Sequence, residues 1–227
     1  MASIDRNLFS LLKFPKNEND VYHTGQLPWL FKDVSYYKTY WNNKKNEFLT
    51  FHKVSAQNIE AELNGRKILL PATRKRLEVL KKAHDANYLT LTKLLQSLQT
   101  ASSSSFEVTV PSHQSLHLYR KNIFRDWGWS TPENRQAIEL VTEVIGVNWT
   151  PHRVCVLGSG AGRLAMDLHT EFRLPMSVAV DFNPLLLLVA DEMRRGSTLK
   201  LWDFNVAPVE LDSVAREYEL KSDLGDR

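Results

Sequence analysis

Short apolar runs separated by helix-like segments characterise the second half of the chain. Val154 to Leu157 is continuously apolar, and Ser177 to Val180 has a similar character, as expected of strands buried in a parallel sheet. Leu185 to Ala190 is apolar nearly all round, which predicts a buried helix, and Leu199 to Trp202 has the pattern of a third strand. This alternation of strands and helices predicts an α/β fold.

The first half of the chain has a helical pattern instead. From Trp29 to Gln99, apolar residues recur at three- and four-residue steps. Asn64-Gly65 is a typical helix end and Pro71 a typical helix start, so we expect two long antiparallel helices joined by a short loop. The apolar stripe of the second helix consists of Leu77, Leu80, His84, Tyr88, Leu91, Leu95 and Leu98. On that stripe, His84 is expected to be a packed core histidine rather than a metal ligand.

These patterns divide the chain into three parts. Residues 1–28 form a polar N-terminal segment, residues 29–100 a helical module, and residues 106–227 a unit of helices and strands. Ser102 to Ser105 is a polar linker between the last two parts. Phe106 to Val110 alternates weakly and predicts a short strand.

Two further helices are expected in the last part. Pro132 to Val144 has helical periodicity, with Thr131 as its N-cap and Glu133 in its first turn, where a negative charge is favoured. Glu210 to Glu219 predicts a helix with a polar face.

Composition excludes several classes of protein. The net charge is only +3 over 227 residues, which is too weak to indicate a nucleic-acid-binding protein. The sequence has neither a signal-peptide pattern nor the apolar run of about 20 residues that a membrane-spanning helix needs. We therefore expect no membrane partner and a cytoplasmic or nuclear location. Cys155 is the single cysteine, and we expect it to be a small buried apolar residue.

Three alternating glycines follow the first apolar run. Gly158, Gly160 and Gly162 stand between that strand and a helix-like segment, and glycine lets a backbone approach a ligand closely. The free N–H groups of the following helix point back at such a turn. The segment therefore predicts a strand–turn–helix unit that cradles a nucleotide-like ligand, the alternative being a tight turn with no ligand. Arg163 stands where a dinucleotide fingerprint has glycine, and no P-loop pattern is present.

An acidic residue follows the second strand. Asp181 lies about twenty residues beyond the glycines, where an acidic side chain in a βαβ unit accepts hydrogen bonds from ribose hydroxyls. Asn183 and Pro184 then have the character of a helix N-cap and a first helical residue. The spacing favours a ribose contact for Asp181 over an ordinary place in a turn.

The stretches VLGSGAGRLAMDL and VAVDFNPLLLLVADEM resemble class I methyltransferases that use S-adenosyl-L-methionine (SAM). They are most similar to the carnosine N-methyltransferase family, which also carries an Arg-Asp-Trp segment like Arg125-Asp126-Trp127. The resemblance covers residues 36–208 and implies a Rossmann-like fold, SAM as cofactor, and methylation of a nitrogen in a small molecule or histidine-containing peptide. Asp181 is followed here by Phe182-Asn183 rather than the family's Phe-Ser, a departure that bears on the methyl acceptor more than on the donor.

The resemblance also implies roles for particular residues. Gly158, Gly160, Gly162 and Asp181 would hold the methyl donor. Arg125 and Arg135 are candidates for its carboxylate, because a guanidinium forks onto a carboxylate; surface ion pairing is the alternative. Asp203 would contact adenine if the third strand joins the sheet, and is otherwise a loop residue. No catalytic residue is identified, although His113 and His117 are candidate bases, and no metal-ligand spacing is present.

The end of the chain limits this interpretation. About 65 residues follow Gly162, enough for two further strand–helix units at usual element lengths, whereas the resembled family has seven strands. We therefore expect a truncated Rossmann-like unit that is weak or inactive alone, with an open sheet that a homodimer partner or another chain covers. The alternative is a non-catalytic protein-interaction module with a remnant SAM-binding unit.

Overall fold

The computed structural model describes residues 34–66, 68–96, 120–146, 148–150, 152–181, 183–205, 207–210 and 213–222. The segment at 1–28, the linker Ser102 to Ser105, the strand predicted at Phe106 to Val110, and both His113 and His117 lie outside these residues. The described part contains six helices and two two-stranded sheets, which is a mixed α/β architecture.

Two long helices form an antiparallel hairpin. Helix α1 spans Val34–Gly65 and helix α2 spans Pro71–Gln96, which confirms the predicted helix end and helix start. Glu60 reaches Lys81 close to the connecting loop, whereas His52, about two turns earlier in α1, meets His84 in α2. No helix of the described part is long and apolar enough to cross a membrane.

His84 is a core residue, as its place on the apolar stripe predicts. Its Nδ1 lies 3.0 Å from the Nδ1 of His52, and its ring stacks on that of Phe204 at 4.5 Å between centroids. Both histidines are buried. The pair therefore belongs to the packing between the helical hairpin and the strands.

A parallel strand–helix–strand unit follows the hairpin. Strand β1 (Arg153–Leu157) leads through the glycine turn into α5 (Arg163–Glu171), and β2 (Met176–Val180) pairs with β1 in parallel. Helix α6 (Pro184–Arg194) comes next. Its N-cap is Asn183, whose side chain accepts a hydrogen bond of 3.0 Å from the backbone N–H of Leu185. All four elements confirm the sequence prediction.

The last two strands form a separate antiparallel pair. Strand β3 (Leu199–Phe204) pairs with β4 (Ala215–Leu220). The prediction of a helix over Glu210 to Glu219 is therefore wrong. In the strand, Ala215 and Leu220 at the two ends are buried while Glu217 and Glu219 stay exposed, and the backbone hydrogen-bonding groups are shared with β3.

The third apolar run forms a strand, but β3 pairs with β4 and not with β2 in the described residues. Asn87 of α2 occupies its other edge: its Nδ2 donates to Trp202 O, and its Oδ1 accepts from Trp202 N, both at 2.8 Å. One amide side chain thus makes the two hydrogen bonds that a neighbouring strand would make. Helix α2 thereby caps an edge that would otherwise expose unpaired backbone groups.

A shared core joins the hairpin to the second half of the described chain. Helix α3 (Arg120–Trp127) contributes Ile123 and Phe124, which are fully buried. Among the other core side chains that are fully buried, α2, α6, β3 and β4 contribute Leu91, Leu95, Leu185, Leu186, Met193, Leu201 and Leu220. The apolar stripe of α2 therefore packs on strands and helices of the α/β region.

The sheet of β1 and β2 is less covered than its apolar sequence predicts. Cys155 is exposed, so its prediction as a buried residue is wrong. Leu157 is 74% exposed and Met176 is also exposed, because α5 packs on the other face of these strands. Parallel sheets are normally covered on both faces, so this apolar face is open in the described residues.

Helix α4 spans Glu133–Ile145, close to the predicted range. The prediction of Thr131 as its cap is wrong. Pro132 occupies the N-cap position and makes no side-chain capping bond. Glu133 does lie in the first turn, where its charge favours the helix.

Candidate functional site

The three glycines form a left-handed turn at the carboxyl end of β1. Their φ angles are +64° at Gly158, +60° at Gly160 and +86° at Gly162, and residues with a Cβ rarely adopt such values. The turn delivers the chain directly into α5, with Gly162 as its N-cap residue. This geometry confirms the strand–turn–helix unit that the glycine spacing predicts.

The three glycines have different surroundings. A Cβ on Gly160 would lie 3.2 Å from both Arg125 Nη2 and Asp126 Oδ2, and a Cβ on Gly162 would lie 2.8 Å from the Cβ of Ala190 in α6. A Cβ on Gly158 would meet no atom of the described residues within 4 Å. The absence of a side chain at Gly160 therefore lets two charged side chains approach the turn, and its absence at Gly162 lets α6 pack closely against it. Gly158 faces open space.

Four backbone N–H groups of the turn, those of residues 159 to 162, are bonded to the protein itself. Gly160 N donates to Asp181 Oδ2 at 3.0 Å, and Ala161 N donates to Asp126 Oδ2 at 2.9 Å. Ser159 N and Gly162 N donate to backbone carbonyl groups, those of Val180 and Ser159. Two carboxylates therefore occupy the positions where a phosphate-binding turn presents free N–H groups.

The Arg-Asp-Trp segment at the end of α3 holds the turn from both sides. Asp126 accepts from Ala161 N, while Trp127 Nε1 donates to Ala161 O at 2.9 Å. Asn134 Nδ2 donates to the carbonyl of Arg125 at 2.9 Å, which fixes the segment to α4. We call the bonds of Asp126 and Trp127 to Ala161 the clamp. The resemblance places this segment near the donor, but the sequence does not show the clamp, because the bonded residues are far apart in the chain.

Arg163, where a dinucleotide fingerprint has glycine, is built into the same arrangement. Its guanidinium lies 5.0 Å from the centre of the Trp127 ring, and its Nε donates to both carboxylate oxygens of Asp167 at 2.9 Å. The long side chain thus packs along the start of α5.

Asp181 faces the turn from the end of β2. Its Oδ2 accepts from Gly160 N, and its Oδ1 accepts from Asn183 N at 2.9 Å. Each carboxylate oxygen has a second lone pair, so both retain capacity to accept from a ribose hydroxyl. Ser159 Oγ and Asn183 Nδ2 are buried polar atoms that have no hydrogen-bond partner among the described residues.

Asp126 is a buried charge. Its side chain is 3% exposed, and burial is the largest influence on its carboxyl, raising the pKa above its ordinary value of 3.8. Arg125, the N–H of Ala161 and Arg163 act in the opposite direction without cancelling the effect of burial. The ionised carboxylate is therefore kept at a cost to the folded state.

The raised pKa gives an expected pH dependence. A carboxyl whose pKa is higher in the folded than in the unfolded state contributes stability that is complete below the ordinary value of 3.8 and is lost as the pH rises through the folded value. The free energy of unfolding of the wild type, relative to that of Asp126→Asn, should therefore fall as the pH is raised from about 4 to 7. Urea titrations of both proteins across this range measure the difference, and a difference that grows with pH would contradict the assignment.

Two other candidate residues have partners elsewhere. Arg135 lies on α4, where its side chain is 83% exposed and pairs with Glu139 at 2.8 Å. Asp203 lies on β3 and pairs with Arg120 at 3.2 Å. Neither bonds to the glycine turn in the described residues. The structure thus brings together Gly158, Gly160, Gly162, Asp181 and Arg125, and it leaves Arg135 in the surface ion pair that was its alternative.

No group of three or more potential metal ligands occurs among the described residues. A scan against protein-family models and a search of curated proteins found no match to this chain. The resemblance therefore rests on the residues of the glycine turn and its surroundings.

Proposed function

We propose that this protein binds SAM at the glycine turn, in a Rossmann-like unit, and is a methyltransferase for a nitrogen of a small molecule or histidine-containing peptide. The observation that carries the proposal is the pair of carboxylates, Asp181 and Asp126, that accept the N–H groups of Gly160 and Ala161. This pair distinguishes the turn from a phosphate site.

The chemistry of a phosphorylated ligand does not suit this turn. NAD and ATP are held by N–H groups of such a glycine loop and of the helix that follows it, and here the loop N–H groups of Gly160 and Ala161 are taken. The two carboxylates would in addition repel a phosphate placed beside them. SAM contains an adenosyl group and no phosphate, and its sulfonium and ammonium groups are cationic, so the same carboxylates attract it.

The residues present also fit the shape of such a ligand. Gly158 offers open space where a side chain would stand, so an adenosyl group has access to the backbone there. Asp181 keeps free lone pairs for ribose hydroxyls. Ser159 Oγ and Asn183 Nδ2 are buried and have no partner in the part of the chain that the structure describes, and a ligand-bound arrangement of the turn would satisfy them.

When bound, SAM would supply an electrophilic methyl group. This chain's part is to hold the donor, to orient its carboxylate with the remaining N–H groups of Arg125, and to keep the nucleophile in line. A base for the acceptor nitrogen is not assigned among the described residues. The expected surroundings are a cytoplasmic compartment and a small or peptide methyl acceptor, with no nucleic acid and no membrane.

A non-catalytic interaction module is the second candidate. The open face at Leu157 and Met176 favours it, because an exposed apolar sheet face suits a homodimer partner or another chain. Such a protein would retain the donor-binding turn and lack turnover.

One pair of assays separates these functions. Calorimetry with S-adenosylhomocysteine measures donor binding, and transfer of a labelled methyl group to histidyl dipeptides such as carnosine measures activity. Binding with turnover is expected of the enzyme, and binding without turnover of the interaction module. Absence of binding would contradict both.

A further inference from the structure

We propose that Asp126 is a positioning residue that makes the site selective for ligands carrying an amino-acid carboxylate. This inference rests on the proposed function. Asp126 Oδ1 accepts a hydrogen bond from Arg125 Nε at 2.8 Å and lies in an ion pair 2.7 Å from Arg125 Nη2. Asp126 Oδ2 accepts a hydrogen bond from Ala161 N at 2.9 Å. A single carboxylate thus fixes a guanidinium to the backbone of the glycine turn.

The position of Arg125 follows from these bonds. A Cβ on Gly160 would lie 3.2 Å from Arg125 Nη2, so the guanidinium lies directly against the turn. Its Nε–Nη2 edge faces Asp126, which leaves the other edge of the planar group, Nη1 with the second hydrogen of Nη2, for another acceptor. The Arg125 side chain is 38% exposed, so this edge is within reach of a ligand.

Charge and shape both require an aspartate. Asparagine has one oxygen acceptor in place of two, and its NH2 group would face either Ala161 N–H or the guanidinium, donor against donor. In Asp126→Asn, Arg125 would lose a charge-assisted hydrogen bond and an ion pair and move away from the turn. The turn itself stays held through Trp127 Nε1 and Ala161 O, so loss of Asp126 should affect carboxylate recognition more than the turn.

Two ligands isolate the effect. S-adenosylhomocysteine carries the amino-acid carboxylate, whereas 5′-methylthioadenosine has the same adenosyl thioether without it. Calorimetry on the full chain is expected to show the wild type preferring S-adenosylhomocysteine by about tenfold or more. Asp126→Asn should lower affinity for S-adenosylhomocysteine by about tenfold and change that for 5′-methylthioadenosine by less than about twofold.

Three further variants sharpen the test. Arg125→Gln should reduce the preference between the two ligands as Asp126→Asn does. Trp127→Phe removes the bond to Ala161 O and should lower the affinity for both ligands by the same factor. Arg194→Gln, which removes an exposed guanidinium paired with Asp191 on α6, is the surface control and should change neither affinity.

The outcomes are distinguishable. If Asp126→Asn lowers the affinity for both ligands by the same factor, Asp126 has a structural role only. That result would overturn the inference and leave the proposed function intact. An unchanged preference in Arg125→Gln would also overturn it. Failure of the wild type to bind either ligand would contradict the proposed function itself, and the inference with it.

Discussion

Replacing Asn87 by alanine is expected to lower the free energy of unfolding by about 2–6 kcal/mol. The side chain makes two 2.8 Å hydrogen bonds with the backbone of Trp202, and it is fully buried. Without it, a backbone N–H and a C=O are left unsatisfied in the interior, at about 1–3 kcal/mol each. Urea unfolding monitored by tryptophan fluorescence measures the loss.

The matched control for this substitution is Asn58→Ala. Asn58 is an exposed residue of α1, and alanine has the higher helix propensity, so its replacement should change stability by less than about 0.5 kcal/mol. A loss below about 1 kcal/mol in Asn87→Ala would show that the edge of β3 is not held by this amide.

Replacing Gly162 by alanine is expected to cost about 2–5 kcal/mol. A φ of +86° disfavours any Cβ, which accounts for about 1–2 kcal/mol. The new Cβ would also stand 2.8 Å from that of Ala190, so α6 must move, and such overpacking costs about 1–3 kcal/mol. Thermal and urea unfolding give the change.

Gly196→Ala separates the two causes. Gly196 has a similar φ of +73°, and a Cβ there would meet nothing within 4 Å. Its replacement should therefore cost only the backbone part, about 1–2 kcal/mol. Equal losses for Gly162→Ala and Gly196→Ala would contradict the close packing of the glycine turn on α6.

Local signals account for what was predictable in the fold. The apolar run before Gly158 and the cap formed by Asn183 and Pro184 lie within the elements that they define. Asn64-Gly65 and Pro71 mark the hairpin in the same way. In each case the deciding interactions are made between residues a few positions apart, which is the range that sequence patterns report.

The errors have the opposite origin. The stretch Glu210 to Glu219 contains most of β4, which is a strand because it pairs with β3. Nothing in the sequence of that stretch indicates this pairing. Cys155 is exposed because one face of its sheet is open among the described residues, and the covering of a face depends on packing rather than on the strand.

The same limit applied to the candidate site. The glycines and Asp181 were identifiable from their spacing, whereas the clamp of Asp126 on Ala161 joins residues 35 positions apart. The adjacency of Arg125, Asp126 and Trp127 was the only local signal of it. The adenine contact predicted for Asp203 depended on β3 joining the first sheet. Asn87 occupies an edge of β3 instead, and because Asn87 and Trp202 are 115 positions apart, no local pattern indicates their bond.

The central claim is that the turn binds a phosphate-free adenosyl ligand, and competitive calorimetry of the full chain tests it most directly. S-adenosylhomocysteine should bind at least about a hundredfold more tightly than NAD, pyrophosphate should not compete with it, and Gly160→Val should abolish its binding by pushing Arg125 and Asp126 away from the turn. Tighter binding of NAD, or displacement of S-adenosylhomocysteine by pyrophosphate, would contradict the account.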